Sequence, residues 1–162
     1  MMDYLGIFKK LNEEGIRYFV VGGLAVNFYG IPRMTYDVDI VLDLQDDNVA
    51  KFLHLMKEWG FRPKAPVDIM DFAKPEQRQE WIQSKNMKAF NFVNPAWAIK
   101  EIDVIIDSPV DYEQGSKHMK MTVLREVSIP TVSLDDLIKM KEVTDRQQDE
   151  ADIRHLKGLH DE

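Results

Sequence analysis

The chain has 162 residues, 44% hydrophobic and 30% charged, with a net charge of −7 and no cysteine. Those figures describe an ordinary globular protein with room for a proper core, one domain over residues 1–162. They exclude disulfides, thiolate metal sites and a broad basic coat for nucleic acid. With no span of membrane length and Asp3 ahead of any apolar run, the expectation is a cytoplasmic protein without a signal peptide or membrane partner.

Tyr4-Leu5, Phe8 and Leu11 fall at helical spacing between Asp3 and Glu14, and Gly15 is a natural stop. Tyr18-Phe19-Val20-Val21 is an apolar run that reads as a buried strand, closed by Gly22-Gly23. A short helix over Leu24–Tyr29 ends at Gly30, and Pro32 reinforces the break. Separated from Gly23 by thirteen residues, Asp37-Val38-Asp39 opens a second strand to Leu42. Alternate strand residues share a face, which puts Asp37 and Asp39 side by side, about 6–7 Å apart. Two such carboxylates repel unless a cation sits between them, and the oxygen donors suit a hard divalent ion such as Mg²⁺.

A helix from about Asn48 to Trp59, capped by Asp46 or Asp47, buries Val49, Phe52-Leu53 and Met56 and ends at Gly60. Phe61 to Asn86 has a poorer pattern, read as a strand fragment plus a variable helix. Met87–Val93 and Ile99–Ile106 read as strands, Met119–Leu124 and Glu126–Ile129 as a hairpin. Helices follow from Ser133 and over about Gln148–Leu159. The fold class expected is therefore mixed α and β (α+β), a small mixed sheet covered by helices, with helices at the C-terminal end.

Asp103 lies inside the apolar run Ile102–Ile106, where an unpaired charge is costly, so it needs a metal, a cation or hydrogen-bond donors. Asp107 is the alternative, but it suits the solvent-facing end of the strand better. Asp37, Asp39 and Asp103 together make a candidate two-metal site for phosphoryl transfer. Gly22 and Gly23 lack Cβ atoms where a strand turns into a helix and would let backbone N–H groups approach a phosphate. Arg33 and Thr35 precede the aspartates and are candidate phosphate contacts. His54, His118, His155 and His160 lack zinc spacing, and the scattered methionines suit core filling.

The pattern Val21-Gly22-Gly23, thirteen residues, Asp37-Val38-Asp39 and a later Ile102-Asp103-Val104-Ile105 strand resembles the DNA polymerase β-type nucleotidyltransferases. Gly22-Gly23-Leu-Ala-Val, Tyr29-Gly30 and Arg33-x-Thr35-x-Asp37 look most like the small AbiEii/MenT-type branch. So does the C-terminal pattern Leu134, Leu137, Lys141, Arg146, Asp149, Asp152 and Leu156. The resemblance leaves Phe61–Asn86 unmatched. It implies a nucleotidyltransferase fold and a metal-dependent enzyme using Mg²⁺ or Mn²⁺. The enzyme would move a nucleoside monophosphate from an NTP to a hydroxyl: an RNA 3′ end such as tRNA, a protein or a small molecule. It further implies Asp37, Asp39 and Asp103 as catalytic metal ligands and Gly22-Gly23 as the phosphate-proximal turn. Lys141 would neutralise triphosphate charge, and Asp149 would orient nearby groups. Many relatives carry Gly-Ser at the turn, and Gly23 has no hydroxyl to offer. An antitoxin partner is plausible on the same grounds. The competing readings are a nucleotide- or metal-binding module with impaired chemistry and an antibiotic-type small-molecule nucleotidyltransferase. A strip of Lys117, Lys120, Arg125, Lys139 and Lys141 is the candidate local surface for RNA.

Overall fold

A computed structural model describes residues 3–143 and 147–161. Arg146 and the side chains of Asp149 and His160 lie outside the described residues. The expected mixed α and β class is what the chain adopts. In chain order the elements are α1 (Tyr4–Glu13), β1 (Tyr18–Val21), α2 (Gly22–Phe28), β2 (Asp37–Leu42) and α3 (Asp46–Glu58). After β3 (Arg62–Pro63) and a 3₁₀ turn (Ile69–Ala73) come α4 (Pro75–Lys85), β4 (Ala89–Val93) and β5 (Glu101–Ile105). The short α5 (Tyr112–Gly115), β6 (Lys120–Leu124), β7 (Val127–Thr131), α6 (Leu134–Glu142) and α7 (Gln147–Asp161) complete the described residues.

The strands form one mixed sheet in the order β3-β4-β5-β2-β1-β7-β6. β2 is antiparallel to β1 and parallel to β5, so it sits at the centre of the sheet. Its Val38, Ile40 and Leu42 are buried, while Asp37 and Asp39 alternate with them on the other face. The core gathers Ile7, Phe8 and Leu11 of α1, the four residues of β1, and Val49, Phe52, Leu53 and Met56 of α3. The α3 stripe read from helical spacing is buried, and so are Phe8 and Leu11 of α1, where Ile7 joins them and Tyr4 and Leu5 are only partly buried; Asp46 and Asp47 lie inside the first turn of α3, after Gln45 as N-cap.

The segment 61–86 is built without an apolar stripe. Its α4 buries only Arg78 and Trp81. Trp81 stacks on Phe90 with ring centroids 4.9 Å apart, and Phe72 of the 3₁₀ turn packs on both Phe90 and Phe92. Arg78 donates through Nη1 to the Phe72 carbonyl at 2.6 Å and lies over the Phe72 ring. The cation thus ties α4 to the 3₁₀ turn, and the rings of Phe72 and Trp81 hold both against β4, which backs the strand that carries Asp103.

Candidate active site

Strand register brings the acidic residues together. β2 and β5 are parallel, and Asp39 stands directly beside Asp103, with Asp37 beside Glu101. Oxygens of Asp37, Glu101 and Asp103 all lie within 4.8 Å of one another. Glu101 was not among the residues singled out from the sequence. The signal was available, because it lies two residues before Asp103 and strand alternation puts both on one face. Asp107 falls two residues beyond β5, where it pairs with Lys88 at 2.7 Å.

The carboxylates are crowded and short of counter-charge. Burial pushes Asp39 up to about 6 from an ordinary 3.8, with the Asp37 charge adding to it, against a hydrogen bond from Asp103 and the pull of Lys141. Burial, then the hydrogen bond shared with Glu101 and the Asp39 charge, raise Asp103 to about 9; Asn91 works the other way, donating through Nδ2 to Asp103 Oδ1 at 2.6 Å. Burial and Glu101 raise Asp37 as well. Crowding of this kind favours the protonated forms, and the all-oxygen donor set fits a hard divalent ion.

The glycine pair has two distinct tasks. β1 pairs Val21 with Asp39, so the chain leaves the strand alongside that carboxylate. A Cβ on Gly22 would lie 2.2 Å from Asp39 Oδ2 and 2.9 Å from its Cβ, and the residue has φ +68°. Both facts demand glycine. Gly23 instead lies beneath Arg33, where a Cβ would come 3.3 Å from Nε. We expect Gly22→Ala to displace the Asp39 carboxylate. Metal- and NTP-dependent stabilisation should weaken by at least about tenfold in affinity, while the αL penalty itself costs only about 1–2 kcal/mol. Unchanged ligand affinity in Gly22→Ala would show that Asp39 does not need this close approach.

The structure does not leave Arg33 and Lys141 as two isolated cations beside the carboxylates. Arg33 Nη1 donates to Asp152 Oδ2, and Lys141 Nζ lies 3.2 Å from the same oxygen. Asp152 of α7 is 2% exposed and Lys141 is 8% exposed. This buried cluster ties α6, α7 and the loop before β2 together. Lys141 is accordingly no part of a surface strip with Lys117, Lys120 and Arg125. Removing one member of a buried charge cluster typically costs about 3–5 kcal/mol. Asp152→Ala should therefore lower Tm by about 10 °C in a thermal melt, and a shift within about 2 °C, the size of a neutral surface change, would contradict that placement. Thr35 donates its hydroxyl to the Asp37 carbonyl at 3.0 Å, which fixes the entry to β2.

Gly23, Arg33, Thr35, Asp37, Asp39 and Asp103 line a polar depression of about 320 Å³. The comparisons with known proteins bear on what this arrangement serves. A family model described as nucleotidyl transferase AbiEii toxin, Type IV TA system, matches residues 9–157. The chain belongs to the AbiEii nucleotidyltransferase toxin family. It is a nucleotidyltransferase, and its fold is shared with solved enzymes of that kind. The lincosamide antibiotic adenylyltransferase LnuA, solved with lincomycin bound, superposes with a TM-score of 0.65 at 16% identity, covering 96% of this chain and 95% of LnuA. ANT(2″)-Ia in complex with adenylyl-2″-tobramycin gives 0.55 at 11% identity, over 96% and 94% of the two chains. An antigenic nucleotidyltransferase-like protein from Paracoccidioides brasiliensis gives 0.54 at 17%, over 96% and 72%. No curated protein sequence matches the chain. Among the described residues, no helix is long and apolar enough to cross a membrane.

Proposed function

We propose that this AbiEii-family chain transfers a nucleoside monophosphate from an NTP to a hydroxyl acceptor, with release of pyrophosphate, and depends on Mg²⁺ or Mn²⁺. The observation that carries the reading is the convergence of Asp37, Asp39 and Asp103 on the polar depression that Gly23 and Arg33 also line, with a Glu101 oxygen within 4.8 Å of those of Asp37 and Asp103. Asp37, Asp39 and Asp103, with Glu101 within reach, would hold the metal, which supplies charge neutralisation for the triphosphate and for the attacking oxygen. The acceptor oxygen forms a bond to the α-phosphorus as the bond to the pyrophosphate oxygen breaks, and the hydroxyl proton passes to Asp103. Arg33, steered by Asp152, borders the space for the triphosphate, while Lys141 sets the charge balance around Asp39. The acceptor classes are an RNA 3′ end such as tRNA, a protein side chain and a small molecule. Family membership supports a toxin–antitoxin setting in the cytoplasm, where NTPs are available.

The test is thermal stabilisation by each NTP, with and without Mg²⁺, in the wild type and in Asp39→Asn. A ligand at 100 times its Kd adds about 2.7 kcal/mol to stability. Wild type should be stabilised only when NTP and metal are both present, and Asp39→Asn should lose most of that gain. If no NTP stabilises the wild type with either metal, the transfer reading falls and a binding module with impaired chemistry takes its place.

A further inference from the structure

We propose that the free edge of β6 is a docking site for an extended, acidic segment of another protein, which joins the sheet as an additional strand. The site lies apart from the carboxylates and does not depend on the transfer reading. β6 ends the sheet, with β7 as its neighbour. Arg125 and Glu126 join the two strands as a two-residue turn, with φ +48° and +68°. Such a turn makes Leu124 and Val127 the hydrogen-bonded pair that closes the hairpin. Alternation along an antiparallel ladder then makes Thr122–Ile129 and Lys120–Thr131 bonded pairs, and Met121–Pro130 and Val123–Ser128 non-bonded ones. Pro130, which has no N–H, suits that assignment. The N–H and C=O groups of Met121 and Val123 therefore point past the edge of the sheet. Among the described residues, no backbone group bonds to them there.

The two faces of β6 differ. On the inner one, Lys120 lies over the Tyr29 ring at 4.3 Å, and the Thr122 hydroxyl is 2.8 Å from that of Thr131. On the outer one, Met121 and Val123 are 54% and 62% exposed. An open edge with alternate apolar side chains is a template for strand addition, in which main-chain bonds give affinity and alternate side chains give specificity. Charge decides the occupant. Residues 117–125 hold Lys117, Lys120 and Arg125 and no carboxylate before Glu126 at the turn, in a chain of net charge −7. A second copy, paired antiparallel about Thr122, would bring Lys120 of each copy near Arg125 of the other, and like charges so placed repel. An acidic strand meets the same cations with opposite sign, while its own alternate apolar residues cover Met121 and Val123. An RNA strand would satisfy the cations, but its phosphates offer no donor to the outward carbonyls and no apolar cover.

The experiment titrates the isotope-labelled protein with the peptide acetyl-DEVTIED-amide, whose Val and Ile stand two residues apart between carboxylates. In the free protein the amides of Met121 and Val123 should exchange fast, and the peptide should slow them by at least about tenfold. The same peptide N-methylated at Val and Ile keeps its side chains and charge but loses the two donors that face β6. It should bind at least about tenfold more weakly. Val123→Pro removes an outward donor without taking a bond from the β6–β7 ladder. It should weaken the unmodified peptide likewise, while the Thr122 and Leu124 amides stay protected. Equal binding of the N-methylated peptide, or binding that leaves the Met121 and Val123 amides exchanging fast, would mean charge attraction alone and overturn the proposal. So would protection of these amides that rises with protein concentration alone, which would make the occupant a second copy. Tighter binding of an oligouridylate than of the peptide would assign the patch to RNA. No binding of the peptide at millimolar concentration would also overturn the proposal.

Discussion

Asp103→Asn should abolish nucleotidyl transfer and, in the metal-free protein at pH 8, raise the melting temperature. Both effects come from the same crowding. Asp103 is buried, faces Asp39 across the β2–β5 register and lies within reach of Glu101. As an amide it keeps its volume, and folding at pH 8 no longer requires this side chain to take up a proton that the unfolded chain has released, or to carry a charge beside other carboxylates. It also cannot take the acceptor proton or contribute a charged oxygen to a metal. Metal-assisted charge stabilisation is worth several kcal/mol, which corresponds to a loss of at least about 10³-fold in rate. The measurement pairs single-turnover transfer with thermal melts in EDTA. A variant that is both inactive and less stable than wild type would point to a purely structural Asp103, held by Asn91. A variant with undiminished transfer would remove Asp103 from the reaction.

The two halves of this site were unequally legible in the sequence. Asp37 and Asp39 declare their common face through alternation with Val38 and Ile40, and Gly22-Gly23 marks the turn, because strand period and glycine chemistry are local properties. Glu101 is equally local, two residues before Asp103 on the same face, but it stands at the start of the strand, where a carboxylate reads as solvent-facing, whereas Asp103 is flanked by Ile102 and Val104. Asn91 is a different case. Its bond to Asp103 depends on the antiparallel register of β4 against β5, which no local pattern specifies. Asp152 is more remote still, lying 119 residues from Arg33. It appeared within the C-terminal pattern without a role, and only tertiary packing shows that it holds Arg33 and Lys141 together. The 61–86 segment escaped for a physical reason too. A helix anchored by one tryptophan and one buried arginine has no apolar periodicity to read.

That buried cluster changes how the cations near the site act. Arg33 and Lys141 converge on one carboxylate that is itself out of water, so their positions are set before any nucleotide arrives. Preorganised charge costs little reorganisation when a triphosphate binds, whereas mobile surface lysines must first be ordered. The same geometry makes α7 part of the active-site support, although its described residues contribute no carboxylate to the β2–β5 acidic set.

Metal-free protein should lose stability as pH rises from about 4 to about 9, and a divalent cation should reverse the trend. The sign follows from proton counts. Asp39 at about 6 and Asp103 at about 9 hold protons in the folded state that the unfolded chain releases near 3.8. Stability falls with pH wherever the native state binds more protons. It is therefore greatest below the unfolded value and declines through both folded values. Asp39 alone, raised by roughly 2 units, accounts for on the order of 3 kcal/mol. Metal binding requires the ionised forms, so it releases protons and grows stronger with pH. Melts at pH 5, 7 and 9, with EDTA or with Mg²⁺, should show the gap between the two curves widening steadily. Asp39→Asn should flatten the EDTA curve between pH 5 and 7, leaving the portion that belongs to Asp103. A Mg²⁺ effect of constant size across that range would mean that the cation binds elsewhere, and that the β2–β5 carboxylates are not its ligands.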